Sequence, residues 1–266
     1  MLHYTKIHHT NKEADTVVFI HGIGGGSNIW SRQLRAFRKH FHLLFIDLPG
    51  HGDSTYGLED MEEASFNGIV EEVVKVLNQE QIASAHFVGI SLGTIVIQHL
   101  NEQYPERVKS MVLGGAVEKF NVSARIIIGA AEVLKRFVPY MWLYKISARI
   151  LMPRKHHTES RLAFVKEAYK LGKKEFLNWM RLHKEVEKTV QRAKSGTSHT
   201  PKLYIMGSED YMFLPSVEES IDRAKNECLQ VIDRCGHVCN IERHKEFNER
   251  AISFLIQQST IIDNSQ

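Results

Sequence analysis

Phe87-Val88-Gly89-Ile90-Ser91-Leu92-Gly93-Thr94 is the stretch around which this chain of 266 residues arranges itself. Its centre, Gly89-Ile90-Ser91-Leu92-Gly93, fits the pattern G-x-S-x-G. The flanks carry more weight than the five letters. Ala85-His86-Phe87-Val88 ahead of it is a short, mainly apolar run with strand character. Behind it, Ile95, Val96, Leu100 and Tyr104 recur at helical spacing until Pro105 ends the run. Strand, tight turn and helix form the setting of a nucleophile elbow. Such a turn holds its serine in a strained backbone conformation and pushes the hydroxyl beyond the sheet. Gly89 and Gly93 leave out the Cβ atoms that would block so sharp a turn. The helix that follows points its positive end at the hydroxyl, where negative charge develops during attack.

Upstream, Thr16-Val17-Val18-Phe19-Ile20 is a continuous apolar run, the pattern of a strand buried on both faces. It runs into His21-Gly22-Ile23-Gly24-Gly25-Gly26-Ser27. The ending of a phosphate-binding P-loop is missing there, and serine stands where a dinucleotide fold has its last glycine. The loop suits an oxyanion hole better, with the backbone N–H of Ile23 facing the serine. Leu43 to Ile46 is the next strand, followed by a structured turn, Asp47-Leu48-Pro49-Gly50-His51-Gly52-Asp53-Ser54. Ile69, Val70, Val73, Val74 and Leu77 trace the buried stripe of a helix. Val108 to Gly114 is a further strand. Leu2 to His9 alternates loosely enough for an edge strand.

From 117 to 199 the alternation of strand and helix stops. This stretch has helical periodicity, is punctuated by Pro139 and Pro153, and reads as a helical insertion. It holds 18 Lys and Arg against 7 Asp and Glu, a net +11, while the remaining 16 basic and 24 acidic residues give −8. Lys166, Lys170, Lys173 and Lys174 fall on one helical side, leaving Leu162, Val165, Tyr169 and Phe176 to face inward. After the insertion, Lys202 to Met206 is a strand leading into Gly207-Ser208-Glu209-Asp210. Val217 to Lys225 reads as a helix, and Cys228 to Ile232 as the last strand before Cys235-Gly236-His237. His244 to Gln257 closes the pattern as a helix, which weakens from Ile252 to Ile262 into a polar, fraying tail.

Composition narrows the classes. A net charge of +3 is too small to argue for a nucleic-acid partner, and no apolar run approaches the length of a membrane span. The first residues carry no signal-peptide pattern. Three cysteines, Cys228, Cys235 and Cys239, are an odd number and crowd one end, which argues against a disulfide framework and for a reducing cytoplasm. Cys235 and Cys239 flank His237 without the closed spacing of a zinc site, so neither metal nor cofactor is expected.

A serine needs a base to take its proton and a carboxylate to orient that base. Useful groups collect beyond the carboxyl ends of parallel strands, where Ser91, Glu209, Asp210 and His237 all fall. Of fifteen histidines, His21, His51 and His86 also lie near strand ends. His237 is preferred because it follows the last strand and sits after glycine in a loop. Adjacent side chains point apart, so only one of Glu209 and Asp210 can serve, and Glu118 is a reserve acid.

Together these pieces resemble the α/β-hydrolase superfamily in its lid-bearing, esterase-like branch. The matching residues are His21-Gly22-Ile23-Gly24, Asp47 to Ser54, Gly89 to Gly93, Gly207 to Asp210 and Cys235-Gly236-His237. One strand candidate precedes Thr16, where the family often has two. The resemblance implies an α/β fold with a mostly parallel central sheet, helices on both faces and a helical lid. Residues 1–116 and 200–266 would form the core and 117–199 the lid. It implies a catalytic triad of Ser91, His237 and Asp210, and an oxyanion hole from the N–H groups of Ile23 and Leu92. Met141, Trp142, Phe176 and Trp179 are the expected pocket residues. The implied activity is hydrolysis of a carboxylic ester of a small or medium acyl substrate; the sequence leaves the oligomeric state open between monomer and homodimer. Lactones, thioesters and carbon–carbon bonds are alternative substrates, and a small-ligand receptor is the alternative outside enzymology.

Overall fold

The computed structural model describes residues 1–134, 137–195, 199–222 and 226–263. Its sheet has seven strands in the order β1-β3-β2-β4-β5-β6-β7. These are β1 (Tyr4–Ile7), β2 (Thr16–Ile20), β3 (His42–Ile46), β4 (Ala85–Ile90), β5 (Val108–Gly114), β6 (Lys202–Gly207) and β7 (Glu227–Ile232). All neighbours are parallel except β1, which runs antiparallel to β3 with Tyr4 opposite Ile46. The central strands are the apolar, β-branched and aromatic runs of the sequence, and they are buried because helices cover both faces. β7 is an edge strand and leaves Cys228, Gln230 and Val231 exposed. A single strand precedes Thr16 among the described residues.

Each face of the sheet has its own core. On one side α1 (Ser31–Phe37) and α9 (His244–Asp263) pack Phe37, Phe247 and Leu255 against Phe19, Val88 and Ile205. On the other, α2 (Phe66–Gln79) and α3 (Leu92–Gln103) press Ile69, Val73, Val96 and Leu100 against Val18, Phe87 and Met111. Each large side chain so buried stabilises the fold by about 1.5–3 kcal/mol. Ser65 caps α2, its hydroxyl accepting the Gly68 N–H at 3.2 Å.

Between β5 and β6 the chain forms α4 (Val122–Leu134), α5 (Tyr140–Leu151) and α6 (Thr158–Ser195). Pro139 fixes the entry to α5. Gly172, at φ 75° and ψ 164°, breaks α6 into two helices, a conformation that a side chain would make costly. These helices extend the second core: Tyr144, Phe176 and Trp179 belong to it. Polar contacts also tie the segment to the loops at the carboxyl ends of the strands. The Trp179 indole donates to Pro49 O at 3.1 Å and the Tyr144 hydroxyl to Ile23 O at 2.7 Å.

Three expectations need correction. Leu162 and Tyr169 are exposed, and the inward stripe of α6 is Phe164, Glu167, Ala168 and Leu171. Buried Glu167, with Lys170 at 3.2 Å, hides this stripe from a reading by polarity. The helix expected from Val217 to Lys225 is α7, which runs from Leu214 to Ser220; residues 223–225 lie outside the described ones. The C-terminal helix, expected to weaken from Ile252 to Ile262, continues to Asp263, with the Ser259 hydroxyl 3.1 Å from His86 Nε2.

Candidate active site

Ser91 joins β4 to α3 at φ 52° and ψ −117°, a region that non-glycine residues avoid. The turn is held on both sides. Ser91 N–H donates to Gly114 O at 3.0 Å, and Ser91 O accepts the Thr94 N–H at 2.9 Å and the Thr94 hydroxyl at 2.6 Å. A Cβ on Gly93 would collide with Ile20 O at the end of β2, and one on Gly89 would lie 2.9 Å from the Gly93 carbonyl carbon. Glycine at these places lets α3 approach the sheet closely, while the positive φ falls on Ser91 itself.

His237, in the loop after β7, has Nε2 2.9 Å from Ser91 Oγ and Nδ1 2.8 Å from Asp210 Oδ2. Asp210 follows β6, and both residues are buried. A carboxylate only accepts, so Nδ1–H donates to Asp210 and Nε2 presents its lone pair to the serine hydroxyl. Asp210 Oδ1 accepts the Phe213 N–H at 3.3 Å, and the Phe213 ring lies over His237 with centroids 5.1 Å apart. Glu209 points away, its carboxylate 2.8 Å from Nε2 of both His156 and His157. Glu118 is buried beside Tyr204, whose hydroxyl burial, and then this carboxylate, push well above its usual pKa. The structure thus brings Ser91, His237 and Asp210 together and leaves the other two acids elsewhere.

Ile23 and Leu92 line the same space as Ser91 and His237. The Leu92 N–H opens α3, and among the described residues neither it nor the Ile23 N–H has a hydrogen-bond partner. The Ile23 loop is pinned by groups that the sequence did not single out for this. Gly24 N–H donates to His51 Nε2 at 2.9 Å, and Leu48 N–H to His21 Nε2 at 3.0 Å. The other ring nitrogens face carbonyls, His51 Nδ1 at Pro49 O (2.9 Å) and His21 Nδ1 at Gly22 O (2.8 Å). Each imidazole is therefore neutral and held in one tautomer. Burial lowers both pKa values, that of His51 well below the usual histidine range. Tyr144 completes the clamp, but it lies 121 residues from Ile23 and no local signal marks it.

Next to Ser91 opens a cavity of about 230 Å³ whose walls, among the described residues, carry no Lys, Arg, Asp or Glu. Phe176 and Trp179 line it. Met141 and Trp142 do not: Met141 is buried in the core, and Trp142 is 64 % exposed. Ile127, Ile128, Leu143 and Phe164 contribute walls instead. Cys235 and Cys239 are buried free thiols, and burial pushes both pKa values far up, which suits packing.

Among the described residues, two other groups of side chains have the donor types that metals use, His156 with His157 and Glu209, and His3 with Asp47 and Asp53. Asp47 already accepts the Ser27 and Asp53 N–H groups and faces His3 Nδ1 at 2.9 Å, so it organises its own turn. Glu209 bridges the start of α6 to the loop after β6.

A sheet with one antiparallel edge, a serine on a strained strand-to-helix turn and a Ser–His–Asp relay beyond the strand ends describe an α/β-hydrolase. The sequence pattern of the alpha/beta hydrolase fold family matches residues 15–244, and the chain belongs to that family. It is 31 % identical over 125 residues to the (E)-2-((N-methylformamido)methylene)succinate hydrolase of Acinetobacter baylyi, covering 47 % of this chain and 46 % of that protein. It is 30 % identical over 116 residues to the pimeloyl-[acyl-carrier protein] methyl ester esterase of Vibrio vulnificus, covering 44 % and 42 %. These matches span less than half the length of either relative. The fold matches the crystal structure of the enol-lactonase from Burkholderia xenovorans with a TM-score of 0.78, at 20 % identity, over 96 % of both chains. Among the described residues, no helix is long and apolar enough to cross a membrane.

Proposed function

We propose that the protein is a serine hydrolase that cleaves a carboxylic ester of a small or medium, mainly apolar acyl group, through an acyl-enzyme and without a cofactor. The observation that carries this reading is the unbroken relay from Asp210 through His237 to Ser91, 2.8 and 2.9 Å, at the mouth of an uncharged cavity. His237 Nε2 takes the hydroxyl proton as Ser91 Oγ attacks the acyl carbon. The carbonyl oxygen gains the negative charge, and the N–H groups of Ile23 and Leu92 stabilise it together with the start of α3. The tetrahedral intermediate collapses, the C–O bond to the alcohol breaks, and His237 returns its proton to the departing oxygen. Water then repeats the sequence on the acyl-Ser91 ester and releases the acid. Asp210 fixes the imidazole tautomer and stabilises its charged form throughout. Residues 117–199 act as the lid that excludes water and shapes the acyl site. Lactones offer the same electrophilic carbon, and the names of the relatives, a hydrolase, a methyl ester esterase and an enol-lactonase, support acyl chemistry of this kind.

The test is covalent labelling of the purified chain with a fluorophosphonate, followed by turnover of a short nitrophenyl ester. Wild type is expected to label and to turn over, and Ser91→Ala to do neither while keeping its thermal unfolding transition. Undiminished labelling of the alanine variant would remove Ser91 from its role. Labelling without turnover of any ester, lactone or thioester would favour a ligand receptor on the same fold.

A further inference from the structure

The outer surfaces of α4 and α5, like the inner ones, carry large apolar side chains. Ile127, Ile128 and Ala131 of α4, and Leu143, Ser147 and Leu151 of α5, line the cavity. On the opposite side of α4, Val122, Ile126 and Val133 follow helical spacing into solvent, and Phe137 prolongs the row at 80 % exposure. On the opposite side of α5, Trp142 and Ile146 do the same. An exposed row of large apolar side chains on two helices exceeds what a surface ordinarily leaves to water. Basic groups accompany it, with Lys119, Lys145 and Arg149 exposed. Between 117 and 154 the sequence has seven Lys and Arg against two acidic residues. One of those two, Glu118, is buried beside Tyr204 and adds nothing to the outer charge.

We propose that the outer face of α4 and α5 lies on an anionic phospholipid surface, and that lipophilic acyl esters reach the cavity from that surface. Apolar side chains flanked by Lys and Arg are the composition of a helix that rests in the headgroup layer without spanning the bilayer. The charge also decides against the same face of a second copy of this chain. Two such faces brought together would oppose like charges, whereas an anionic bilayer satisfies both the charge and the apolar rows. The cavity wall is only one helix thick here, so the same helices touch lipid outside and substrate inside. The surface stands on its own observations, and only the delivery of substrate rests on the hydrolase reading.

The test uses the full chain with vesicles of phosphatidylcholine, with or without a quarter of phosphatidylglycerol. The protein is expected to sediment with the mixed vesicles and to be released by salt. Trp30 and Trp179 are buried and Trp142 is exposed, so lipids brominated along the acyl chain report on Trp142. Its emission is expected to be quenched. Ile126→Ser with Ile146→Ser is expected to abolish sedimentation and leave hydrolysis of a short soluble nitrophenyl ester unchanged. Lys145→Gln and Arg149→Gln are each expected to weaken vesicle binding about fivefold, the factor for one basic residue at such a surface. Failure to sediment at low salt, or an unquenched Trp142 in the sedimented protein, overturns the proposal. So does a wild-type dimer that the serine pair converts to a monomer, since a second copy would then cover the face. A protein that binds vesicles yet hydrolyses nothing refutes the hydrolase reading and leaves the lipid surface standing.

Discussion

The imidazole of His237 meets a single carboxylate, that of Asp210, although Glu209 is next in sequence and Glu118 follows the neighbouring strand. What separates the three acids is the partner each already has. Glu209 faces His156 and His157, Glu118 sits beside Tyr204, and Asp210 faces Nδ1 of His237 at 2.8 Å. Asp210→Asn keeps the shape but can offer Nδ1–H an amide donor in place of an acceptor, so the ring settles in the wrong tautomer. Turnover of the nitrophenyl ester is expected to fall by about 10⁴-fold, the loss known for such a change in a serine triad. Glu118→Gln is expected to stay within a few-fold of wild type. A dead Glu118→Gln with a near-normal Asp210→Asn would move the acid to the end of β5. The sequence narrowed this choice to adjacent side chains pointing apart, and the resemblance selected Asp210. Local reading alone left it open, because the deciding contacts span 27 residues to His237 and 53 from His156 to Glu209.

The loop after β2 owes its shape to two neutral imidazoles, and that makes it sensitive to acid. His21 and His51 each use Nε2 as an acceptor for a backbone N–H, so a proton there would replace an attraction with a clash of donors. Both pKa values are lowered in the fold. The unfolded chain therefore binds the proton first, and the stability these groups contribute is complete above a pH of about 6.5 and is lost as pH falls towards the folded values. Each histidine is expected to add up to about 1.4 kcal/mol per pH unit to the loss of unfolding free energy below pH 6.5. Urea unfolding followed from neutral to mildly acidic pH reads this slope, and His51→Gln should reduce it; an unchanged slope would mean that the loop does not rest on His51. Other elements were legible to different degrees. The strands announced themselves because burial on both faces makes Val17 to Ile20 or Leu43 to Ile46 uniformly apolar. The inner faces of α4 and α5 did not, because Ile126 outside and Ile127 inside differ in nothing that periodicity can read. The same ambiguity in α5 makes Trp142 read as a wall of the cavity, although it is exposed. In α6, Glu167 occupies a buried position that its charge disguises.

At the scale of the whole molecule, charge is divided rather than balanced. The segment between β5 and β6 is strongly basic and the remainder acidic, and a contact such as that of Lys174 with Glu59 pairs the two only in part. The general plan of the fold was readable from the order of strands and helices, since each parallel crossover follows from the one before. The reach of one segment over another was not. Trp179 on Pro49 and Tyr144 on Ile23 join stretches 130 and 121 residues apart. The relay itself has the same property, with Ser91 and His237 separated by 146 residues. That separation sets a clock for folding. Contacts so distant along the chain carry a large loop-closure cost and form late, after the local helices and the first strand pairs. During refolding, the capacity to react with a fluorophosphonate should therefore appear after the burial of Trp30, which packs against Phe19 from a neighbouring stretch of chain with ring centroids 5.1 Å apart. Stopped-flow fluorescence and quenched labelling of one variant, Trp142→Phe with Trp179→Phe, which leaves Trp30 as the reporter, compare the two times. Labelling that recovers before the fluorescence does would show that the reactive serine forms in a partial structure, whereas a lag makes reactivity a readout of the last strand closing on the sheet.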